Sequence, residues 1–379
     1  MQLNENEAGG LWLGRVWRPD IGPAVVTIRN GEVFDITSGT APTTRDVMEM
    51  DDPATYVRSA DGESLGPLGG IRDGSGQDDG PYWLAPCDLQ AVKACGVTFA
   101  QSMIERVIEE QAAGDPEKAE GIRQRVGSII GDSLDQIEAG SAQAAKVKEE
   151  LIALGMWSQY LEVGIGPDAE VFSKAQPLSA VGTGAEVGLH PMSKWNNPEP
   201  EIVLAVNSRG EIHGVSLGND VNLRDVEGRS ALLLSKAKDN NASCAIGPMI
   251  RLFDDTWSLD DVRRAELDLK VEGQDGFTLE GHSLMEKISR DPEDLVSQTI
   301  GRHHQYPDGF MLFLGTLFAP TKDRDAPGQG FTHKLGDRVS ISCDGLGVLQ
   351  NTVRLSTECP EWTFGTAAFM RNLAGRGLL

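Results

Sequence analysis

The chain is built around the stretch Trp195–Pro248, WNNPEPEIVLAVNSRGEIHGVSLGNDVNLRDVEGRSALLLSKAKDNNASCAIGP. Two carboxylates one residue apart, Glu199 and Glu201, lead into an apolar run. The turn sequence NSRG at 207–210 separates that run from a second extended pattern at 211–217. Two extended runs joined by a short polar turn predict a β-hairpin.

The register of this hairpin decides which side chains meet. The expected facing pairs are Val206 with Glu211, Glu201 with Ser216, Glu199 with Gly218, and Asp220 with Asn197. Because side chains alternate with a period of two, Glu199, Glu201 and Asp220 then share one face at the open end of the hairpin. Three converging carboxylates repel each other unless a cation lies between them. A hard divalent ion with oxygen ligands, Mg²⁺ (or Mn²⁺), meets that requirement.

A simpler interpretation exists for each of these motifs. An isolated Glu-x-Glu is often only a charged entrance to a strand, and Asn219-Asp220 also suits an ordinary turn. The whole arrangement favours the metal site over these separate explanations.

Three motifs resemble the fumarylacetoacetate hydrolase family. They are Glu-x-Glu at 199–201, GNDVNLRD at 218–225, and Lys238 ahead of a C-x-x-G-P turn. The resemblance runs from about residue 84 to the C-terminus and is most specific over Trp195–Pro248. It implies the following roles: Glu199, Glu201 and Asp220 as metal ligands, Lys238 as a catalytic and substrate-binding group, and Arg224 and Thr316 as substrate contacts.

A second site segment precedes the hairpin, where apolar spacing predicts helices from Ala100 and over about 141–160. In the wider family the strand-to-helix junction carries N-Y-x-x-H-x-x-E, whose His and Glu activate water. The aligned residues here are Thr98, Phe99, Ser102 and Glu105. A serine without an adjacent base cannot replace an imidazole near neutral pH. We therefore expect Glu105 as a catalytic acid/base and Ser102 as a substrate contact; the alternative is that Glu105 is one of several solvent-facing helix glutamates.

The resemblance also implies the fold class, which is α+β: a mixed β-sandwich roll of the fumarylacetoacetate hydrolase type with a helical insertion. Short extended runs and the hairpin turn RNGE at 29–32 predict a small β-rich N-terminal domain over residues 1–81. The Gly- and Asp-rich part of it, 51–82, is expected to be a connecting segment. Residues 82–379 form the expected catalytic domain, with its helical segment at about 100–160.

The composition limits the binding partners and the cellular location that we expect for this protein. The 34 basic and 57 acidic residues give a formal charge of −23, which argues against binding to nucleic acid or to an anionic membrane. The five scattered cysteines predict reduced thiols in a cytoplasmic protein. The acidic, polar start MQLNENEAGG does not suit a signal peptide, and the apolar runs are shorter than the ~20 residues that span a bilayer.

The reaction follows from the group of charges around the predicted metal. A divalent ion, Lys238 and Arg224 suit a substrate whose carboxylate adjoins a ketone, because such a site stabilises the enolate left when a C3 proton is removed. Water can then cleave a C–C bond beside a 4-keto group, or a C4 hydroxyl can leave. The loss of the histidine favours the second outcome.

Further runs, WSQYLEVGIGPDAE and HQYPDGF, resemble the sugar-acid branch of the family. That branch implies dehydration of 2-keto-3-deoxy-D-xylonate, or its L-arabinonate-derived epimer, to 2-oxoglutarate semialdehyde. The alternatives are a hydrolase of 2,4-diketo-3-deoxy sugar acids and a noncatalytic binding protein with the same fold. The resemblance also implies a homodimer or homotetramer.

Overall fold

A computed structural model describes residues 4, 7, 9–74, 80–113, 115, 118–119, 121–122, 137–153, 155, 157–318, 320, 322–326 and 330–379. The five cysteines are all free and buried. Within these described ranges, no helix has both the length and the apolar character needed to cross a membrane.

The strands form two sheets. They are β1 Trp12–Arg18, β2 Gly22–Arg29, β3 Glu32–Asp35, β4 Glu63–Pro67, β5 Tyr82–Trp83, β6 Ala91–Gly96, β7 Glu170–Ala175, β8 Glu186–Leu189, β9 Pro200–Val206, β10 Ile212–Asp220, β11 Cys244–Leu252, β12 Glu266–Glu272, β13 Thr278–Leu284, β14 Phe310–Phe313, β15 Arg338–Cys343 and β16 Gly347–Leu355. The 11-stranded sheet has the order β4-β3-β2-β1-β11-β10-β9-β14-β6-β7, with β5 paired to β1. The five-stranded sheet has the order β13-β12-β15-β16-β8.

Short helices connect and cover these sheets. They are α1 Thr44–Met48, α2 Pro53–Ser59, α3 Ala100–Ala112, α4 Ala142–Ala153, α5 Gln159–Ile165, α6 Arg224–Glu227, α7 Leu234–Lys238, α8 Leu259–Arg263, α9 Pro292–Thr299 and α10 Thr366–Gly375. In the part of the chain that the structure describes, 3₁₀ turns lie at Leu68–Gly70, Ala231–Leu233 and Met285–Lys287.

Strand β9 is buried over its whole length, because each of its faces packs against a different apolar core. Ile202 and Leu204 share a core with residues of β12, β15 and β16, so this core lies between the two sheets. Val203 and Ala205 face the other way, into a core shared with the N-terminal strands. A strand that is buried on both faces has a continuous apolar sequence rather than an alternation of apolar and polar residues.

The β9–β10 hairpin forms as predicted, but its register was wrong by two residues. Val206 pairs with Ile212, one residue beyond the expected partner, and a β-bulge just after Ile212 adds a second one-residue shift. Glu201 therefore pairs with Gly218 rather than with Ser216. One shift alone would have turned every later side chain to the opposite face, whereas two shifts restore the face. The predicted convergence of the carboxylates therefore survives the register error.

The N-terminal part is β-rich, as expected, and its hairpin turn is confirmed. Asn30 and Gly31 both have positive φ, 52° and 78°, as a two-residue turn between paired Arg29 and Glu32 requires. The view of 51–82 as a connecting segment was wrong, because it contains α2 and β4, and β4 extends the large sheet. Pairing of β1 with β11 joins these strands to the main body; a domain boundary near residue 81 stays a prediction.

The helical segment also differs in detail from the prediction. The expected helix over about 141–160 is two helices, α4 and α5, with Gly155 at φ 68° between them. Ser158 begins the second one, since its side chain accepts a hydrogen bond from the backbone N–H of Tyr160. The part of the segment at 123–136 lies outside the described residues.

A buried histidine makes stability depend on pH. The side chain of His333 is 1% exposed, and its Nδ1 lies 3.1 Å from Asp337 Oδ2, which also binds Arg324. Burial lowers the pKa of His333 despite the nearby carboxylate. In the unfolded chain a histidine takes up its proton near pH ~6.5. Below that pH the unfolded state therefore binds more protons than the folded state, and the free energy of unfolding falls.

We expect His333→Gln to remove this part of the pH dependence between pH 7 and 5. The effect is bounded by about 1.4 kcal/mol per pH unit for a single proton. Denaturant unfolding at several pH values measures it. His282→Gln is the matched control, because the His282 side chain is 45% exposed. A slope that His333→Gln leaves at the wild-type value would contradict the assignment.

Candidate metal centre and active site

Three carboxylates meet at the open end of the β9–β10 hairpin. Glu201 lies in β9, Asp220 ends β10, and the backbone N–H of Asp220 donates to the carbonyl of Glu199 at 3.1 Å. Asp220 thus lies beside Glu199, not opposite Asn197 as expected; Asn197 pairs instead with Asn222. One oxygen from each carboxylate lies within 4.8 Å of the others, and the three residues are buried.

Two cations that line the cavity compensate part of this negative charge. Lys238, at the end of α7, donates from Nζ to Glu199 Oε2 at 2.6 Å and to Asp220 Oδ2 at 3.0 Å. Arg106 of α3 donates to Glu199 Oε1 at 2.7 Å. Burial alone would lower the pKa of Lys238, but Asp220 and Glu199 outweigh it and raise that pKa well above its usual value. The neighbouring carboxylates therefore favour the charged form of Lys238.

The pKa shifts of the three carboxyl groups differ. Burial would raise the pKa of Asp220, but Lys174 and Lys238 outweigh it and lower that pKa. Burial raises the pKa of Glu201 well above its usual range, and the charges of Asp220 and Glu199 raise it further. Burial also raises the pKa of Glu199, against the opposing effects of Lys238 and Arg106. Three buried carboxylates form an all-oxygen donor set that suits a hard divalent cation, so the residues present fit Mg²⁺ or Mn²⁺.

Glu105 lies inside the protein rather than on a solvent face of α3. It is 7% exposed, and its Oε2 accepts from Arg224 Nη2 at 3.2 Å. The alternative of a solvated helix glutamate is therefore wrong. Ser102, one turn earlier, accepts from the backbone N–H of Phe99 at 3.4 Å and donates from Oγ to the Phe99 carbonyl at 2.8 Å, so it caps the start of α3 as well as lining the cavity.

Arg224 holds α3 against α6. Its Nε donates to Glu109 Oε1 at 2.6 Å, and its guanidinium lies 4.3 Å from the ring centroid of Trp195. With Glu105 as a second carboxylate partner, the guanidinium is already paired before any substrate arrives. A substrate contact by Arg224 stays a prediction, and the contacts seen here give it a structural role.

The Gly315–Thr316 turn forms another part of the cavity wall, next to Glu201. The backbone N–H of Gly315 donates to Glu201 Oε2 at 2.6 Å. Thr316 is 8% exposed, and its hydroxyl accepts from the backbone N–H of Phe318 at 3.1 Å. Thr316 therefore lies in the wall of the cavity.

All eight predicted site residues line one cavity. They are Ser102, Glu105, Glu199, Glu201, Asp220, Arg224, Lys238 and Thr316. The structure thus brings together residues from α3, the β9–β10 hairpin, α6, α7 and the turn after β14.

The sequence did not predict the charged residues that surround the three carboxylates and Lys238. They are Arg106, Glu109, Glu170, Lys174 and Glu227. Arg106 binds Glu109 at 2.6 Å and Glu227 at 3.1 Å in addition to Glu199. The only signal in the sequence was the i, i+3 spacing of Arg106 and Glu109, which is common on solvent-facing helices.

A family model described as fumarylacetoacetate (FAA) hydrolase C-terminal matches residues 153–354, just over half of the chain. The protein belongs to the fumarylacetoacetate hydrolase family. The matched region contains the three carboxylates and Lys238, whereas α3 with Glu105 precedes it.

Two curated proteins are similar to the chain over part of its length. It is 32% identical over 198 residues to "Probable 2-keto-3-deoxyxylonate dehydratase" of Haloferax volcanii. It is 31% identical over 188 residues to "2-dehydro-3-deoxy-D-arabinonate dehydratase" of Saccharolobus solfataricus. These matches cover 52% and 49% of this chain, and 64% and 58% of the relatives. The chain therefore spans less than two thirds of the length of either relative.

Solved structures of proteins named as 2-keto-3-deoxy-D-arabinonate dehydratases share the fold of this chain. The apo form of a 2-keto-3-deoxy-D-arabinonate dehydratase has a TM-score of 0.62 at 22% identity, covering 90% of this chain and 98% of that one. A second structure, complexed with magnesium and 2,5-dioxopentanoate, has a TM-score of 0.62 at 21% identity over the same shares. The predicted α+β fold of the fumarylacetoacetate hydrolase type is confirmed.

Proposed function

We propose that this protein is a dehydratase, dependent on Mg²⁺ (or Mn²⁺), that converts 2-keto-3-deoxy-D-xylonate or its L-arabinonate-derived C4 epimer to 2-oxoglutarate semialdehyde and water. The observation that carries the proposal is the buried cluster of Glu199, Glu201 and Asp220 around Lys238. The names of the two curated relatives support the substrate class. The structural neighbour complexed with magnesium and 2,5-dioxopentanoate supports it too, because that compound is the same semialdehyde.

The overall reaction removes one molecule of water. A proton leaves C3 and the hydroxyl leaves C4 with its bonding electrons and a proton, which gives a C3–C4 double bond. Loss of a proton from C5 and return of a proton to C3 then move the double bond to C4–C5 and give an enol. The enol becomes the aldehyde at C5 when C4 gains a proton and the C5 hydroxyl loses one. For the elimination itself, the site must take the C3 proton, deliver a proton to the departing C4 hydroxyl, and stabilise negative charge near the C1 carboxylate and C2 ketone.

The chain's own residues suit these tasks. Lys238, protonated between Glu199 and Asp220, offers a fixed positive charge for the carboxylate and the developing oxyanion. A bound divalent ion supplies further electrostatic stabilisation of that oxygen. The Thr316 hydroxyl, on the opposite wall, can donate to a substrate oxygen. The burial of these side chains excludes water and strengthens their interactions.

Two carboxyl groups of the cavity can move protons. Glu105 is the predicted acid/base, and its contact with Arg224 fixes its orientation. Glu170, at the start of β7, lines the same cavity, and burial raises its pKa against the opposing effects of Arg106 and Lys238. A carboxyl group with a raised pKa suits delivery of a proton to the departing C4 hydroxyl. We propose Glu105 as the first candidate and Glu170 as the second.

We expect loss of water to dominate over C–C cleavage. Ser102 occupies the position where the hydrolases of the family carry a histidine, and its hydroxyl is engaged by the Phe99 carbonyl. The test compares a 4-hydroxy substrate, both epimers of 2-keto-3-deoxypentonate, with a 2,4-diketo-3-deoxy acid, by following aldehyde trapping and pyruvate release. Faster cleavage of the diketo acid than dehydration of either epimer would favour the hydrolase instead.

We further propose a homodimer or homotetramer in the cytoplasm, acting on a small-molecule sugar acid. The support is the family membership, whose fold is expected to pair through one flank of the roll. Light scattering at micromolar concentration measures the assembly, and a monomer under those conditions would contradict it.

A further inference from the structure

Lys174 is a lysine with no exposed surface, placed directly behind the proposed metal centre. It lies in β7, and its Nζ is 2.9 Å from Asp220 Oδ1. The same Nζ donates to the carbonyl of Lys238 and lies 3.5 Å from the Ser243 hydroxyl. A buried ammonium with several oxygen partners is expensive to displace, because it would leave both its own charge and a carboxylate unpaired.

The two oxygens of Asp220 therefore meet two different lysines. Oδ1 faces the fully buried Lys174, and Oδ2 accepts at 3.0 Å from Lys238, which lines the cavity. An ion that entered from the cavity would meet Oδ2, while Oδ1 stayed with Lys174. Asp220 would then act as a ligand through a single oxygen.

The other two carboxylates show the same division. Glu201 Oε2 accepts from the backbone N–H of Gly315 at 2.6 Å. Glu199 Oε1 accepts from Arg106 at 2.7 Å, while its Oε2 binds Lys238 at 2.6 Å. Each of the three carboxylates thus has at least one oxygen paired with a cation or with a backbone N–H from a neighbouring element, so none is set up to bind an ion through both oxygens at once.

We infer that Lys174 makes the site selective for small octahedral cations over Ca²⁺. Mg²⁺ takes single carboxylate oxygens at about 2.0–2.1 Å in near-octahedral geometry, whereas Ca²⁺ takes roughly six to eight oxygens and often binds carboxylates through both. Neighbouring hydrogen-bond partners orient metal ligands and tune their affinity. Because Lys174 pairs with Asp220 Oδ1, that oxygen is not available as a second ligand atom for Ca²⁺. This inference rests on the proposed metal site and makes Lys174 a positioning residue, since it acts through Asp220.

The test is the ratio of Mg²⁺ to Ca²⁺ affinity, measured by calorimetric titration of each ion alone. Lys174→Met keeps the length of the side chain and frees Asp220 Oδ1. We expect the ratio to move toward Ca²⁺ by about tenfold, the effect of one added contact to a charged oxygen. Lys238→Met is the matched control, because it removes the same charge from the other oxygen of the same carboxylate. It should raise the affinity for both ions alike and leave the ratio unchanged.

The outcomes separate the two proposals. If wild-type protein binds neither ion, the metal site itself is overturned, and this inference with it. If wild-type protein binds Mg²⁺ but both variants change the ratio equally, or neither does, only the role of Lys174 is overturned.

A second measurement covers the case in which Lys174→Met does not fold. In crystals of wild-type protein grown with Mg²⁺, one oxygen of Asp220 should lie about 2.1 Å from the ion. The other oxygen should remain paired with Lys174. Coordination by both oxygens of Asp220 would overturn the inference.

Discussion

Glu201→Gln is expected to abolish divalent-ion binding and nearly all turnover while the protein stays folded. Glu201 is 2% exposed, and its second oxygen already accepts from Gly315. An amide in its place removes one charge and turns either an N–H or a carbonyl toward the ion. Because even residues that only support a ligand cost about 10- to 100-fold in affinity, we expect a loss above about 100-fold here. Glu199→Gln and Asp220→Asn should behave alike. Titration with Mn²⁺ and a turnover assay measure both effects.

The control for this prediction lies on the same hairpin. Glu211 is 52% exposed and pairs with Arg209 at the turn, far along the strand from the cluster. Glu211→Gln should leave ion binding and turnover at wild-type values. Wild-type protein that remains fully active after exhaustive chelation would contradict the metal site altogether.

Glu105→Gln should cut turnover by about 100- to 10,000-fold, the usual contribution of a general acid or base. Ion affinity should stay nearly unchanged, because Glu105 pairs with Arg224 and is not one of the three clustered carboxylates. The amide preserves the size of the side chain and can still bind Arg224 through its carbonyl. A loss of turnover without a loss of ion binding therefore reports on proton transfer rather than on folding.

Two variants decide between the candidates for this role. Glu110→Gln is the matched control, since Glu110 lies on the same helix and bonds to Gln159 at its outer surface. Glu170→Gln tests the second carboxyl group of the cavity. If Glu105→Gln dehydrates its substrate at a near wild-type rate and Glu170→Gln does not, the acid/base is Glu170. Ser102→His alone should not create a hydrolase, because water also needs room and a 4-keto electrophile.

The features that the sequence predicted well depend on local spacing. The parity of side chains along β9 and β10 was enough to bring Glu199, Glu201 and Asp220 together, although the predicted register was wrong. The true length of the loop and the position of the bulge could not be read from the NSRG turn. Each is set by how the two strands pack between two cores, which is a property of the whole fold.

The features that the sequence did not predict depend on long-range contacts. Lys174 and Asp220 are 46 positions apart, and Arg106 and Glu199 are 93 apart. The sequence alone does not distinguish a buried lysine from an exposed one, because burial depends on contacts with residues that are distant in the sequence. Likewise, the pairing of β4 with β3 in the large sheet needs the whole sheet before the Gly-rich segment around it can be understood.

The most direct test of the proposed dehydratase activity is the product formed from 2-keto-3-deoxy-D-xylonate and from its L-arabinonate-derived C4 epimer, followed by nuclear magnetic resonance with and without divalent ions. We expect 2-oxoglutarate semialdehyde to accumulate from at least one epimer, to stop forming after chelation, and to form again when Mg²⁺ is added. Formation of the semialdehyde at an unchanged rate after chelation, or no consumption of either epimer in the presence of Mg²⁺, would contradict it.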